Sequence, residues 1–388
     1  MMNMWLILIS FTLHFTQYGI IFPFIPLLAE KMGAGPTTIG FIVGSFSLIA
    51  VFLSIPLGGL VDRFGVKRLL IFGVFCNIVN AAVLIRTDTV LMLIIAQLIA
   101  GIAFLLHVVA SQAFISRLPD ALRREKGFGW LTFGAAAGQS LGPVLGGILV
   151  GRYGYPVAFW GALGLSSAGL ILLRLKNTKE SISTKSSYNP VQDARQAGLL
   201  ALDPKVGMIL TFTFGIIFAT NLRASFLPVL LRAEGLTEFT VGVLISIFAI
   251  MSTSIRLIFG RLLGAFKRKI ILAVSMLAII SAAGLLPSVG SVTGFAILIS
   301  LFGLGFGMTQ PLSMVMIADL TDPDQSGLVM GLRSTANMLA GLLSPIFLGF
   351  IIETIGLRPA FYVAALVVAL IGIRMLIIRP DLIPGRRR

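Results

Sequence analysis

Twelve apolar blocks follow one another along the chain, separated by short polar segments. Each block has roughly 17 to 26 residues, which at a rise of about 1.5 Å per residue is enough to cross a hydrocarbon core about 30 Å thick. Only 12% of the residues are charged, far fewer than a soluble domain carries. We therefore predict an all-α membrane protein with twelve transmembrane spans, at residues 4–28, 38–60, 69–85, 89–115, 128–150, 155–173, 206–231, 239–260, 270–287, 293–317, 327–351 and 358–378.

The basic residues are distributed unevenly between the two sets of loops. Most of the 30 lysines and arginines lie in alternate loops and in the C-terminal tail. The opposite loops carry only Lys31, Arg86, Arg152, Arg232 and Arg358. By the positive-inside rule, both termini and the central loop are expected in the cytoplasm of a cell carrying this multi-pass protein in its inner membrane. The net charge of +15 is thus interpreted as a topology signal and an attraction to anionic lipid, and nucleic acid is not expected as a partner.

Residues that would support catalysis or hold a cofactor form no recognisable pattern. The single cysteine excludes a disulfide framework, and two isolated histidines do not make a metal site. No phosphate-binding loop is present to power transport with ATP. The first apolar block lacks a basic leader and a small-residue cleavage site, so it is expected to be a retained helix. An enzyme is the least supported class, and no cofactor or metal is predicted.

The two halves of the chain repeat each other. A constant shift of 202 residues superimposes residues 24–162 on the second half without a gap. Apolar matches are common in such a chain, but matched prolines and glycines are not. The matched pairs include Pro26 and Pro228, Gly40 and Gly242, Gly101 and Gly303, Pro143 and Pro345, and Gly147 and Gly349. We predict a six-helix bundle at 1–173, a cytoplasmic linker at 174–205, and a second six-helix bundle with a basic tail at 206–388.

The loop between spans two and three carries the most specific motif, GGLVDRFGVKRLL at residues 58–70. Together with the repeat, it resembles the signature loop of the major facilitator superfamily, and the resemblance covers essentially the whole chain. Val66 departs from the arginine usual there. In that family the aspartate latches onto the start of the eleventh helix, here near Ser326, when the cytoplasmic gate is shut. A solvated loop is the alternative interpretation. The loop residues assigned to gating are Gly58, Asp62, Arg63, Gly65, Lys67 and Arg68.

Span five carries a glycine pattern that is similar to that of the efflux and antiporter branch of this family. Its residues are Gly138, Gly142, Pro143, Gly146 and Gly147. Small residues four apart let helices pack closely, so generic packing is the alternative.

Two further positions bear on gating and coupling. Span four departs from the antiporter pattern, because Gln97 stands where an arginine is usual. That departure argues against proton coupling by the usual route. Arg256, near the inner end of span eight, is assigned to the cytoplasmic gate, with snorkelling to the interface as the alternative.

Polar residues inside the spans are the candidates for contact with a solute, because each is costly in hydrocarbon. The resemblance implies that helices one, four, seven and ten line a central cavity. Interhelical hydrogen bonding without a role in transport is the alternative for each residue. The predicted cavity residues are His14, Gln17, Tyr18, His107, Ser111, Arg223, Thr309, Gln310, Arg333 and Asn337.

The predicted spans hold no aspartate or glutamate near the middle of the membrane. A cavity with arginine and histidine but no carboxylate favours anions or anionic groups on a larger solute. A buried carboxylate is the ordinary proton carrier, so His14 or His107 is the remaining candidate for that role.

These observations predict a secondary active transporter working by alternating access. The preferred function is export of a small organic solute, anionic or amphipathic, with protons as the candidate coupling ion. Uptake of an organic anion by proton symport is the first alternative. A receptor or lipid-handling protein of the same shape, which releases no soluble solute, is the second. The resemblance implies a monomer surrounded by membrane lipid.

Overall fold

The computed structural model describes residues 4–53, 61, 63–118, 120–174, 202–319 and 326–378. Within these residues the chain forms α-helices joined by short turns. The helices are α1 Met4–Lys31, α2 Pro36–Leu53, α3 Val66–Ile85, α4 Val90–Ser116, α5 Ala121–Tyr153, α6 Tyr155–Arg174, α7 Pro204–Ala233, α8 Glu238–Ala265, α9 Arg268–Leu285, α10 Val292–Asp319, α11 Ser326–Ile355 and α12 Leu357–Ile373. A π-helical turn, Arg374–Ile378, follows α12.

Twelve described helices are long and apolar enough to cross a membrane, which confirms the predicted all-α, twelve-span architecture. The largest difference is at α5, which begins at Ala121 and not at residue 128. Hydropathy marks only the part of a helix that lies in hydrocarbon, whereas the helix continues outward through a charged turn. Asp120 caps that turn by accepting a hydrogen bond from the Leu122 amide at 3.1 Å.

Several predicted features lie outside the described residues. They are Gly58 and Asp62 of the loop between spans two and three, residues 175–201 of the predicted linker, and the tail from residue 379.

Proline and glycine shape the helix ends. In α1, Pro23 and Pro26 accompany a 3-10 turn at Phe22–Phe24, because proline removes a backbone donor from the helical ladder. Gly154 and Gly356 each form the single-residue link between two helices. Their φ angles are 86° and 94°, a region that a side chain disfavours. These two glycines are 202 residues apart, so the repeat seen in the sequence extends to backbone conformation.

The described residues divide into two compact units. Unit 1 contains residues 4–34, 41–174 and 235–246, and unit 2 contains residues 35–40, 202–234 and 247–378. In unit 1, α1 packs against α5, α6 and α4, while α3 packs against α4 and α6. In unit 2, α7 packs against α11, α12 and α10, while α9 packs against α10 and α12. The pairs correspond one to one when six is added to each helix number.

Close backbone approaches at glycine also repeat. In unit 1, a Cβ on Gly242 would meet the carbonyl oxygen of Pro143. In unit 2, a Cβ on the equivalent Gly40 would meet the carbonyl oxygen of Pro345. Each contact joins the first turns of one helix to the proline-containing part of another. Glycine at both positions is therefore explained by helix packing.

Candidate functional site

Two histidines from different helices stack in the interior of unit 1. The imidazole rings of His14 on α1 and His107 on α4 lie 4.1 Å apart, centroid to centroid, with an angle of 3° between their planes. Both side chains are buried. Gly73 on α3 makes room for the pair, because a Cβ there would lie 2.9 Å from Nδ1 of His107. Three helices thus contribute to the position of one pair of rings.

Hydrogen bonds define the protonation pattern of the two rings. Nδ1 of His107 lies 3.0 Å from the carbonyl oxygen of Ala103. A carbonyl oxygen only accepts, so this nitrogen carries the proton, and in the neutral ring Nε2 keeps its lone pair. Nδ1 of His14 lies 2.9 Å from Nδ2 of Asn77, an amide nitrogen that donates. Among the described residues, Nε2 of neither histidine has a hydrogen-bond partner.

The stacking distance limits the charge that the pair can carry. Two imidazolium ions 4.1 Å apart would repel by about 4 kcal/mol at an effective dielectric constant of about 20. One imidazolium facing one neutral ring has no such cost. The pair therefore suits the storage of a single positive charge.

A small polar cavity adjoins His14. Its volume, measured as the space open to the centre of a water molecule, is about 20 Å³. A volume of this size holds an ordered water molecule, for which about 10–15 Å³ suffices. The polar side chains around it come from α1, α3 and α4, and they are His14, Gln17, Tyr18, Asn77, Asn80 and Gln97.

Some of these polar groups are buried without a partner. Oδ1 of Asn80 and Nε2 of Gln97 make no hydrogen bond with any described residue. The Asn80 amide nitrogen donates to the Ala96 carbonyl at 3.0 Å, which orients the side chain. Unpaired buried polar atoms are costly, and these two belong to residues that line the same cavity.

Aromatic rings cover one side of this polar cluster. Tyr18 stacks on Phe22 with 4.7 Å between ring centroids, and Phe46 and Phe104 pack around them at 5.3 to 5.6 Å. The arrangement combines a polar tip, the Tyr18 hydroxyl, with an apolar wall.

In unit 2, a buried arginine on α11 contacts α10. The Arg333 side chain on α11 is 4% exposed. Its Nε donates to Oγ of Ser313 at 3.0 Å, and one terminal nitrogen donates to Oε1 of Gln310 at 2.7 Å. The same nitrogen lies 3.3 Å from the Gln310 carbonyl oxygen. Neutral groups on α10 therefore hold the guanidinium, and no carboxylate of the described residues forms a salt bridge with it.

A second arginine of unit 2 lies on an aromatic surface. The guanidinium carbon of Arg223 is 3.8 Å from the ring centroid of Phe248, a cation–π contact. Phe248 packs in turn against Phe306, and Arg256 lies 5.9 Å from the centre of that ring. The gating role of Arg256 remains a prediction.

Within each unit, the structure brings some of the predicted cavity residues into contact. His14, Gln17 and Tyr18 line the cavity, and Gln310 contacts Arg333. Two other predicted residues, Thr309 and Asn337, show no hydrogen bond to another helix among the described residues. Thr309 donates to the Phe306 carbonyl of its own helix, and Asn337 Oδ1 has no partner among the described residues. Ser111 is also buried, and its hydroxyl has no hydrogen-bond partner among the described residues.

Asn77 and Asn80 were not among the predicted cavity residues. They lie three apart on one face of α3, a helix that the family resemblance does not place at the cavity. The signal available in the sequence was their position inside an apolar span.

The residues assigned to gating are placed as follows. Gly138, Gly142 and Gly146 face α1, where a Cβ on Gly142 would lie 2.6 Å from the Cα of Gly19. Gly147 and Pro143 face the first turns of α8 inside unit 1. Gly65 precedes α3 with a φ of 82°, and Arg63 and Arg68 are exposed beside the half-buried Lys67. These positions explain close packing, while the gating role remains a prediction.

Comparisons with known proteins agree on one group. A sequence profile of the Major Facilitator Superfamily matches residues 7–311 and 209–388. The chain is 23% identical over 374 residues to Multidrug resistance protein 1 of Bacillus subtilis, covering 96% of this chain and 95% of that protein. It is 24% identical over 366 residues to the multi-drug resistance efflux pump PmrA of Streptococcus pneumoniae, covering 90% and 89%. A solved structure of the nucleoside transporter NupG superimposes with a TM-score of 0.81 at 14% identity, covering 96% and 99%, and shows a shared fold.

Proposed function

The chain belongs to the major facilitator superfamily, and we propose that it exports a small organic solute bearing an anionic group, driven by an ion gradient. Export follows alternating access, in which a site near the middle of the membrane is exposed to one side at a time. The observation that carries the proposal is the buried Arg333, a fixed positive charge held by neutral partners.

Arg333 supports an anionic solute because its hydrogen-bond partners among the described residues are neutral. Its hydrogen bonds to Gln310 and Ser313 hold the guanidinium in place but contribute no negative charge. An arginine inside a membrane span is costly and marks a functional position by default. Guanidinium groups bind carboxylate, sulfonate and phosphate groups through planar pairs of hydrogen bonds. An anionic group on the solute would therefore offset the cost of the buried charge.

Export is favoured over uptake by two observations. The glycine-rich face of α5 packs against α1 in the pattern of the efflux and antiporter branch. The relatives described above are named for multidrug resistance and efflux. We further propose that both termini face the cytoplasm and that the protein works as a monomer.

Counterflow in proteoliposomes tests the proposed solute class. Purified protein is reconstituted in liposomes loaded with unlabelled solute, and entry of the same labelled solute is measured at equal pH on both sides. We expect exchange of taurocholate, an amphipathic sulfonate, and little exchange of tetraphenylphosphonium, a lipophilic cation. A clear preference for the cation would overturn the argument from charge. Tight lipid binding without exchange of either solute would instead support a receptor or lipid-handling protein.

Growth of a deletion strain tests the direction of transport. If the protein exports its solute, deletion should make cells more sensitive to toxic amphipathic anions. Starvation for an organic anion on deletion would instead support uptake by symport with protons. A thermal-shift screen of organic anions against lipophilic cations then narrows the solute class, because a bound ligand raises the unfolding temperature.

A further inference from the structure

We propose that the polar cluster of unit 1 is the binding site of the coupling ion, a single proton carried by His14 and stabilised by Asn77 and by a water molecule in the adjoining cavity. This inference rests on the proposed function, because it names the ion that drives export. It also gives the cavity between α1, α3 and α4 a role apart from solute binding. The argument rests on the stacked histidines, the cavity and its unpaired polar atoms.

The proton enters at His14 because this histidine lines the cavity and His107 does not. The reaction forms one N–H bond and breaks one O–H bond: the lone pair on Nδ1 of His14 takes a proton from a hydronium ion, which leaves a water molecule, and the neutral ring becomes an imidazolium. The Asn77 amide then turns so that its oxygen accepts the new N–H. Release reverses these changes and returns the proton to water. Asn77 can serve both states because an amide offers a donor at one end and an acceptor at the other.

His107 stays neutral while His14 is charged. Its Nδ1 proton is held by the Ala103 carbonyl, and its flat face lies against the His14 ring. A second imidazolium at this distance would repel the first, so the pair carries one proton at a time. The stoichiometry of the site therefore follows from the stacking distance, and two histidines bind one proton.

Other charged groups of the surrounding helices lie toward the helix ends. Within α1, α3, α4, α5 and α6, the described titratable and charged residues besides the two histidines are Tyr18, Glu30, Lys31, Lys67, Arg68, Cys76, Arg123, Arg124, Glu125, Lys126, Arg152, Tyr153, Tyr155 and Arg174. Only Tyr18 and Cys76 are near the middle of a span, and both are neutral in their ordinary state. The cluster therefore has no fixed cation to repel a proton and no carboxylate to compete for it.

The cavity supplies the connection to water. It is large enough for an ordered water molecule, and such a molecule would find an acceptor in Asn80 Oδ1 and a donor in Gln97 Nε2. Ordered water at that place would satisfy two buried atoms that have no partner among the described residues. It would also hold a hydrogen-bonding neighbour beside His14, through which a proton can pass.

Nuclear magnetic resonance on labelled histidine tests this proposal directly, without any solute. The chain has 2 histidines, so protein labelled with nitrogen-15 in histidine and purified without a histidine tag gives one pair of ring-nitrogen signals, Nδ1 and Nε2, for each of the two imidazoles. In lipid nanodiscs titrated from pH 9 to pH 4, we expect one ring to become an imidazolium and the other to keep its proton on Nδ1. The variant His107→Gln assigns the signals. Two rings that both become charged, or both stay neutral, would overturn the proposal.

Transport measurements test whether that proton drives export. In proteoliposomes with an acidic lumen, His14→Gln and Asn77→Leu should lower the accumulation of taurocholate about tenfold, within the usual range of coupling between two ligands. Counterflow at equal pH should fall less than accumulation in the same two variants, because exchange needs no net proton movement. Gln112→Leu is the control, since this glutamine is exposed on α4, and it should leave both measurements unchanged.

The two proposals fail in different ways. If the unaltered protein exchanges neither probe, the proposed export of an anion is wrong, while the titration of the histidines still decides the proton site. If taurocholate is exchanged but His14→Gln leaves accumulation intact, the proton site is wrong and the solute class stands. Accumulation driven by a sodium gradient and indifferent to pH would also reject the proton site.

Discussion

At three equivalent positions of the repeat, unit 1 buries neutral polar side chains where unit 2 buries aliphatic ones. At a fourth position, unit 2 buries an arginine where unit 1 buries a leucine. Asn77, Asn80 and Gln97 of unit 1 correspond, at the shift of 202 residues, to Ile279, Ala282 and Ile299 of unit 2. Conversely, the Arg333 of unit 2 corresponds to Leu131 of unit 1. Both units keep the same pairs of packed helices. The same arrangement of helices therefore buries different polar and charged side chains in the two units.

The difference shows which residues a duplicated fold must keep. Glycine and proline positions are shared because two backbones meet there, and a side chain would push the helices apart. Most buried polar positions need not be shared, because a buried side chain can change if its neighbours satisfy the new group, although Ser111 and Ser313 coincide at this shift.

Replacing the arginine with its counterpart in the other unit should have the largest effect. Arg333→Leu removes the fixed charge, and counterflow of taurocholate should fall about 100-fold, equivalent to roughly 3 kcal/mol, the upper range for hydrogen bonds to a charged group. Arg333→Lys keeps the charge but not the planar fork of donors, so the expected loss is smaller, about tenfold.

The control for this prediction is Arg123→Leu, which removes an exposed arginine at the start of α5. Its side chain is 71% exposed, and we expect transport to be unchanged. Size-exclusion chromatography verifies that each variant remains folded. Normal counterflow in Arg333→Leu would remove the basis for assigning anion recognition to unit 2.

Two equivalent glycines, one in each unit, should differ in how well they tolerate replacement by alanine. On Gly101 a Cβ would overlap the carbonyl oxygen of Phe46, whereas on Gly303 it would lie 2.7 Å from the carbonyl oxygen of Phe248. Overpacking costs about 1–3 kcal/mol, offset by about 1 kcal/mol from the better helix propensity of alanine. We expect Gly101→Ala to lower the unfolding temperature clearly and Gly303→Ala to lower it less.

Thermal unfolding in detergent measures this difference, with Gly164→Ala as the reference. No atom lies within 4 Å of a Cβ built on Gly164, so this variant should be neutral or slightly stabilised. Equal losses at Gly101 and Gly303 would show that the two helix contacts are equally tight.

The smallest effects are expected where each unit links the end of one helix to the start of another. Unit 1 places the Lys31 ammonium 5.6 Å from the ring centre of Tyr155, and unit 2 pairs Glu234 with Arg358. Exposed ion pairs and cation–π contacts contribute at most about 1 kcal/mol. Lys31→Gln and Glu234→Gln should each lower the free energy of unfolding by no more than that, as measured by denaturant titration. A larger loss in either variant would indicate an additional role for that contact.

Much of the fold was predictable because membrane helices are specified by length and hydropathy. The twelve spans could be identified from apolar blocks alone, and the repeat from matched prolines and glycines. The start of α5 at Ala121 could not, since hydropathy ends where hydrocarbon ends, although the backbone ladder continues. Of the candidate site, His14 and Arg333 were identifiable as costly residues inside spans. Asn77 was not identified in this way, because it lies on α3, and the resemblance places other helices at the cavity.

The sequence by itself determined that the chain crosses the membrane twelve times and that its halves repeat, because both properties depend on local composition and spacing. Only the tertiary structure decided which polar groups meet. His14 and His107 are 93 residues apart in the chain, and nothing in their spacing predicts a stacked pair. Their contact depends on how α1, α3 and α4 pack, including the space that Gly73 leaves. Packing between helices is a non-local property, and it places His14 beside a polar cavity.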